Sequence, residues 1–321
     1  MSFIGKSVPA QDWEDRTSGR TLYASDLHPE GMLFGMILRS PYPYARIEGI
    51  DTSAALRIPG VCAVVTSKDL PPNTRYFHEG AADRPPLAED LVRFVGQEVA
   101  GVAAETRAAA AEALAAIRVS YTPMQAPLDP AQAVLPGAAQ LHARAAAKQS
   151  DTPNLSRRIE RRWGAISEAL SRSNATVGGR FSYPRVTHAC MEPHVTLASW
   201  DAKLERMHLW TSTQAPFFIV KEVALALGLE RAQVVCHEVA VGGGFGVKSK
   251  ICEHEVIAAL LARASGRPVR IALNREEEFA FTKPRHRFDM DLELHASQQG
   301  DLLGISGNIV VDNGAYDHSG V

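Results

Sequence analysis

The chain has 321 residues, of which 45% are hydrophobic and 22% charged, with a formal net charge of -2; this describes a water-soluble globular protein of one large or two ordinary domains. The balance excludes a basic nucleic-acid binder, no window reaches the roughly 18 apolar residues of a membrane span, and Met1-Ser-Phe-Ile-Gly-Lys-Ser lacks a signal-peptide core. Cys62, Cys190, Cys236 and Cys252 have no C-x-x-C spacing, which excludes an iron–sulfur cluster or zinc knuckle of the usual pattern and fits a reducing compartment, so a cytoplasmic location is expected.

Residues 1–20 are polar and read as an arm, either without structure of its own or anchored on a partner surface by Trp13. From Tyr23 the pattern changes. Met32 to Leu38 is apolar on both faces and predicts a buried strand; two prolines and two tyrosines break the chain between Arg39 and Tyr44, and Ile47 to Ile50 resumes an alternating strand. A short helix at Thr52 to Leu56 leads through the Pro59-Gly60 turn into a strand at Val61 to Thr66. Loop follows from Pro71 to Pro86, then a strand-like stretch from Val92 to Val102, an alanine-rich helix from Thr106 to Ile117 and a closing strand from Arg118 to Tyr121. This alternation predicts an α+β domain over 21–122, followed by a proline-rich linker over 123–154.

A second domain is expected over 155–321, with a first strand at Val177 to Phe181. In an extended segment His188, Cys190, Glu192 and His194 would project to one side as a ligand-like set, although Pro193 interrupts it. Thr196 to Trp200 and Met207 to Thr211 predict a hairpin. Pro216 suits the first position of a helix running to Leu227, which leaves the Gln214 amide at the helix entrance, facing a ligand or acting as a simple cap. A strand from Gln233 to Val241 and a helix from near Ser249 to Gly266 enclose the run Gly242-Gly-Gly-Phe-Gly-Val-Lys248. Beyond it come a strand at Val269 to Leu273 and a charged turn at Asn274 to Glu278. Phe288, Met290, Leu292 and Leu294 then alternate with acidic residues in a half-buried strand that Gly300-Asp301 turns back into Leu303 to Val311.

The glycine run reads as a strand-to-helix turn whose main-chain N–H groups approach a ligand closely while the next helix presents its positive end, which suits an anionic or oxygen-bearing ligand. Phosphate-loop and dinucleotide fingerprints both demand a small residue where Val247 stands, and both fail there. A turn that only packs the helix against its strand stays open. His254-Glu255 does not complete a zinc-protease pattern, because Ala258 occupies the second histidine position.

The run from Gly242 to Lys248 resembles the signature of the molybdenum-binding subunit of the xanthine dehydrogenase and aldehyde oxidase family. Thr211-Ser-Thr-Gln-Ala-Pro216 and Met191-Glu-Pro-His194 resemble two further segments of that subunit. Arg39-Ser-Pro-Tyr-Pro-Tyr-Ala-Arg46, Ile58-Pro-Gly-Val61 and Val92-Arg-Phe-Val-Gly-Gln-Glu-Val-Ala100 resemble its N-terminal hammerhead domain, in order. The fold implied is α+β: an α/β hammerhead domain followed by the first half of a mixed α/β molybdopterin-binding domain.

The resemblance also implies a chemistry. Molybdenum is held by the dithiolene sulfurs of a molybdopterin, expected in its cytosine dinucleotide form, with no protein side chain on the metal. Gln214 corresponds to the glutamine that hydrogen-bonds an oxo ligand, and Phe245 with Gly243, Gly244 and Gly246 to the loop whose N–H groups face that oxygen or the pterin. The reaction class is hydroxylation of an electron-poor carbon of a heteroaromatic or aldehyde substrate with oxygen from water, electrons leaving through an iron–sulfur subunit and an FAD subunit. Ser249 stands where purine-oxidising members carry Glu, which disfavours purines. The general-base Glu of the family lies toward the C-terminus of the full subunit, beyond this chain, so the C-terminal half of the molybdenum subunit is expected as a further partner without which activity is absent. The alternative is a non-catalytic assembly module that binds partners through the hammerhead domain.

Overall fold

The structure, a computed structural model, describes residues 3–71, 84–142 and 152–316. Most of the loop expected from Pro71 to Pro86 therefore lies outside the described residues. In chain order the elements are helix α1 (Trp13–Ser18), strands β1 (Leu33–Arg39), β2 (Ala45–Asp51), β3 (Val61–Thr66), β4 (Leu91–Val92) and β5 (Glu98–Ala104), helix α2 (Arg107–Ala116) and strand β6 (Arg118–Pro123). Short helices α3 (Pro130–Ala133) and α4 (Ile166–Ser171) follow, then β7 (Ala175–Tyr183), β8 (Val195–Asp201), β9 (Arg206–Thr211), α5 (Pro216–Leu227), β10 (Val234–His237), α6 (Glu253–Ser265), β11 (Val269–Ala272), α7 (Arg275–Phe281), β12 (Arg287–Ala296) and β13 (Leu302–Asp312). This is the α+β class that the residue pattern predicts.

Seven strands form one sheet in the order β10-β9-β8-β11-β1-β5-β3. Its two halves come from distant parts of the chain and meet where β1 runs parallel to β11, Leu33 opposite Val269. Helix α6 lies across the sheet, and every residue from Glu253 to Ala262 is buried. Two local features allow this. Gly101 on β5 leaves room for the helix, since a Cβ there would sit 2.5 Å from Ile257 Cγ2, and Gly266 in the left-handed conformation ends the helix against Ala262 O. Ile257 and Leu261, both fully buried, each contribute about 1.5–3 kcal/mol of apolar burial. Helix α5 packs beside α6, started by Pro216 and ended by left-handed Gly228 as its sequence requires.

The start of α6 differs from expectation. It falls at Glu253 rather than near Ser249, because the Glu255 carboxylate accepts from Cys252 N at 2.6 Å and fixes the first turn there. The helix thus begins beyond the glycine run, with the Glu255 carboxylate at its N-terminal cap. The charged turn expected at Asn274 to Glu278 is helical for a related reason: Asn274 accepts from Glu277 N, and Glu277 reaches back to Asn274 N, each at 2.9 Å. Likewise the strand before the glycine run ends at His237, and beyond it Ala240 makes only an isolated bridge to Tyr23.

Burial pushes the Glu255 carboxyl up to about 7 from 4.5, against the lowering by its bond to Cys252 N–H. A raised carboxyl keeps its proton in the folded chain while the unfolded chain releases it, so stability falls as pH rises from about 4.5 to about 7 and is flat above. Glu255→Gln is expected to remove that fall. The stability difference between variant and parent should shift by roughly 3 kcal/mol between pH 5 and pH 8 in urea titrations; parallel profiles would discard the assignment.

Candidate functional site

Two segments of the chain meet at the glycine run. Gln214 N and Thr213 Oγ1 both donate to Lys248 O, at 2.8 Å and 3.1 Å, and Gly246 N donates to Gln214 Oε1 at 3.0 Å. A main-chain N–H can only donate, so the orientation of the amide is fixed: Oε1 faces the run and the two donors of Nε2 face away from it. The entrance of α5 thus holds Gln214 as expected, one residue before the Ala215 N-cap.

The loop itself needs its glycines. Gly243 has φ +112° and Gly246 φ +97°, angles that side-chain-bearing residues rarely adopt. Gly244 is buried, and a Cβ there would lie 2.5 Å from Gln214 Cδ and Oε1, so close approach of the two segments depends on its absence. Phe245 is in the left-handed region at φ +47°, which costs about 1–2 kcal/mol for such a residue. Its ring crosses Gly243, and its side chain is 72% exposed. The turn closes through Val247 N to Gly244 O at 2.9 Å and through Ser249, whose Oγ donates to Gly246 O at 2.5 Å. Gln214, Gly243, Gly244, Phe245 and Gly246 are therefore brought together in one place.

Under the loop lies a buried polar layer. Lys248 Nζ, with no exposed side-chain area, donates to Glu192 Oε2 at 2.7 Å and to Glu192 O at 2.9 Å; Gly242 N donates to the same Oε2 at 2.7 Å. Glu192 Oε1 stays buried with no hydrogen-bond partner. Alongside, His194 Nδ1 lies 2.9 Å from Glu278 Oε1, and His194 N donates to the same oxygen. Burial alone would raise the Glu278 carboxyl, but its bonds from His194 outweigh this and hold it below the usual carboxylate range. His254 meets His194 edge to face at 5.5 Å, and burial keeps its imidazole well below the ordinary value. Lys283 Nζ donates to Ile251 O, tying down the segment between loop and helix.

Sequence reasoning named Glu192 and Lys248 without joining them. The signal was charge: within Met191 to His194 and Gly242 to Lys248, they are the two side chains of opposite formal charge. The ligand-like set of His188, Cys190, Glu192 and His194 does not form. Ala189 turns the chain at φ +49°, Glu192 goes to Lys248 and His194 to Glu278; among the described residues no three His, Cys, Asp or Glu side chains gather as a metal site.

What the arrangement offers a ligand is a strip of glycine backbone and the outward donors of Gln214 Nε2. Beside these bonds stand the exposed apolar side chains of Met191, Phe217 and Phe245. Hydrogen-bonding groups next to exposed thioether and aromatic surface fit a flat heterocyclic cofactor with polar edges, such as a pterin.

Residues 18–125 match the family described as "Aldehyde oxidase and xanthine dehydrogenase, a/b hammerhead domain", and residues 147–321 match "Molybdopterin cofactor-binding domain". The chain is similar to the nicotine 6-hydroxylase large subunit of Paenarthrobacter nicotinovorans, with 32% identity over 98% of this chain and 38% of that one. It is also similar to the nicotinate dehydrogenase large molybdopterin subunit of Eubacterium barkeri, with 29% identity over 98% of this chain and 71% of that one. The solved structure of quinoline 2-oxidoreductase from Pseudomonas putida 86 superposes with a TM-score of 0.87 and 31% identity, covering 98% of this chain and 40% of that one. For most of the curated relatives it matches, the chain spans about two fifths of their length.

Proposed function

This chain belongs to the xanthine dehydrogenase and aldehyde oxidase family of molybdenum-binding subunits, and from that premise we propose that it is the molybdenum-binding component of a hydroxylase acting on an electron-poor carbon of a heteroaromatic or aldehyde substrate. In this reading residues 21–122 are its hammerhead unit and 155–321 the first half of its cofactor-binding domain. The bond between Gln214 Oε1 and Gly246 N carries the proposal, because it joins two segments 32 residues apart into one donor-lined surface.

Residues Gln214, Gly243, Gly244, Phe245 and Gly246 would hold a molybdopterin, in its cytosine dinucleotide form. When bound, that group supplies the two-electron oxidation and the transfer of water-derived oxygen. The chain's own contribution is placement. The bond from Gly246 N holds Gln214 Oε1 against the loop and leaves its Nε2 donors free for a ligand. Phe245 and Phe217, both exposed, offer aromatic surface beside this face that a bound cofactor would cover. Ser249 donates to Gly246 O and offers a substrate no carboxylate, which disfavours purines among the heteroaromatic substrates.

A proton acceptor is not among the carboxylates next to the loop. Glu192 is engaged by Lys248, Glu278 by His194, and Glu255 by Cys252 N and Thr211 Oγ1. By the family resemblance we assign the general base to the part of the molybdenum subunit beyond the portion that this chain matches, with iron–sulfur and FAD subunits as partners and the cytoplasm as the compartment. Among the described residues no helix is long and apolar enough to cross a membrane.

Two measurements test this reading. The assembled complex, purified with the products of neighbouring genes, should contain stoichiometric molybdenum; its absence would favour a non-catalytic assembly module. Gln214→Ala should leave the urea midpoint in place, since the side chain is exposed, and slow turnover on the order of a hundredfold. Unchanged turnover would remove Gln214 from the site.

A further inference from the structure

The parallel pairing of β1 with β11 is short. It runs from Leu33 opposite Val269 to Gly35 opposite Ile271, and beyond it the two strands part. Leu33, Gly35 and Ile37 are buried on the side of the sheet that α6 covers, so Phe34 and Met36 turn to the opposite face, where α2 packs on β1. Where the strands part there is a cleft of about 200 Å³. Phe34, Met36, Leu114 and Ala272 give it an apolar lining, and Arg107 from α2 and Arg270 from β11 complete it. None of its walls belongs to the glycine run or to Gln214.

Two guanidiniums without a countercharge meet in this cleft. The Cζ of Arg107 lies 5.6 Å and that of Arg270 5.7 Å from the centre of the Phe34 ring. Arg270 is only 7% exposed. Its Nη1 is engaged by the segment before β1, with Ser25 O at 2.7 Å, Leu27 O at 3.2 Å and His28 Nε2 at 3.0 Å, which leaves Nε and Nη2 without a hydrogen-bond partner among the described residues. Arg107 makes no hydrogen bond or ion pair with any described residue. The nearby carboxylates are held elsewhere: Asp26 accepts from Tyr23 N at 2.9 Å, while Glu277, which also lines the cleft, accepts from Asn274 N at 2.9 Å and approaches Arg39 Nε at 3.6 Å. Burial and then the charge of Arg107 pull Arg270 below its ordinary value, against a smaller raising by Asp26. Like charges beside an apolar wall repel, and an anion between them removes that cost.

Size and lining narrow the anion. An apolar cavity of about 150 Å³ holds benzene, so a cleft of about 200 Å³ takes a single ring with one substituent. The forked donors of a guanidinium match the two oxygens of a carboxylate, and Phe34, Met36 and Leu114 match an apolar body behind it. A bare inorganic anion would leave that lining unused. We propose that the cleft binds a small aromatic carboxylate, with its carboxylate between Arg107 and Arg270 and its ring against Phe34. The site does not depend on the cofactor reading, because it shares no residue with the glycine run.

Equilibrium dialysis of radiolabelled benzoate against the assembled complex tests the proposal, with benzamide and inorganic phosphate as competitors that lack the charge and the ring. The expected result is saturable binding with a dissociation constant on the order of 0.1–1 mM. Benzamide and phosphate, each at the concentration of benzoate, should displace less than a fifth of it. Arg107→Gln, at an exposed position, should weaken binding tenfold or more, whereas Gln214→Ala should change it less than twofold. Photolabelling with para-azidobenzoate should mark the peptides that carry Met36 or Leu114, and Arg107→Gln should remove the mark. Absence of saturable binding, equal binding by the Arg107 variant, loss of binding in the Gln214 variant, or a mark confined to other peptides overturns the site. Phosphate that competes as well as benzoate itself overturns the aromatic acid as its ligand.

Discussion

Replacing Lys248 with alanine is expected to lower folding stability by about 3–5 kcal/mol, the cost of leaving one partner of a buried ion pair without its countercharge. The ammonium has no exposed area and neutralises Glu192, whose carboxylate also receives Gly242 N; removing it strands a buried charge that already carries one oxygen without a partner. The check is a urea titration in which the midpoint drops with an unchanged slope. A double variant separates charge from volume. Glu192→Gln/Lys248→Met removes both charges at similar size and should recover more than half of the loss, since a paired buried charge is often no better than a neutral replacement. A single variant that costs under about 1 kcal/mol would mean that the pair reaches water.

Gly244→Ala should behave in the opposite way. The added methyl would lie 2.5 Å from the Gln214 side chain, whose flexible end can swing aside, so the urea midpoint should move by less than about 1 kcal/mol. The amide then loses its bond to Gly246 N, and the donors at Nε2 lose their fixed direction. Molybdenum retained through gel filtration of the assembled complex should fall tenfold or more, with turnover per molybdenum falling further. Full retention and turnover would show that Gln214 does its work without the loop. Taken with Lys248, the pair of variants separates what supports the loop from what the loop presents.

The residues announced the local elements well where the signal was a cap, a proline or a glycine. Pro216 and Gly228 delimit α5, Thr106 caps α2 through Ala109 N, and the Pro59-Gly60 turn delivers β3 at the expected positions. The errors came from interactions made by side chains rather than by periodicity. Glu255 pulls the start of α6 forward, and the reciprocal bonds of Asn274 and Glu277 convert a charged turn into a helix. At the candidate site, the glycine run and Gln214 stood out because their residue types are unusual. The ion pair beneath them did not, because pairing across 56 residues is a tertiary fact. The alternation in β12 was legible as a strand, but periodicity says which residues share a face and is silent on whether anything covers it.

The parallel seam between β1 and β11 has a consequence for synthesis. Arg267 Nε donates to Gly31 O beside that seam, a contact between positions 236 residues apart, so the large sheet cannot close until β11 has followed β1 out of the ribosome. At the roughly 5–20 residues per second of translation, β1 then waits for on the order of ten seconds or more with one flank unpaired. A nascent chain in that interval is a natural client for a holding chaperone, and its yield should depend more on elongation speed and temperature than on the stability of the finished fold.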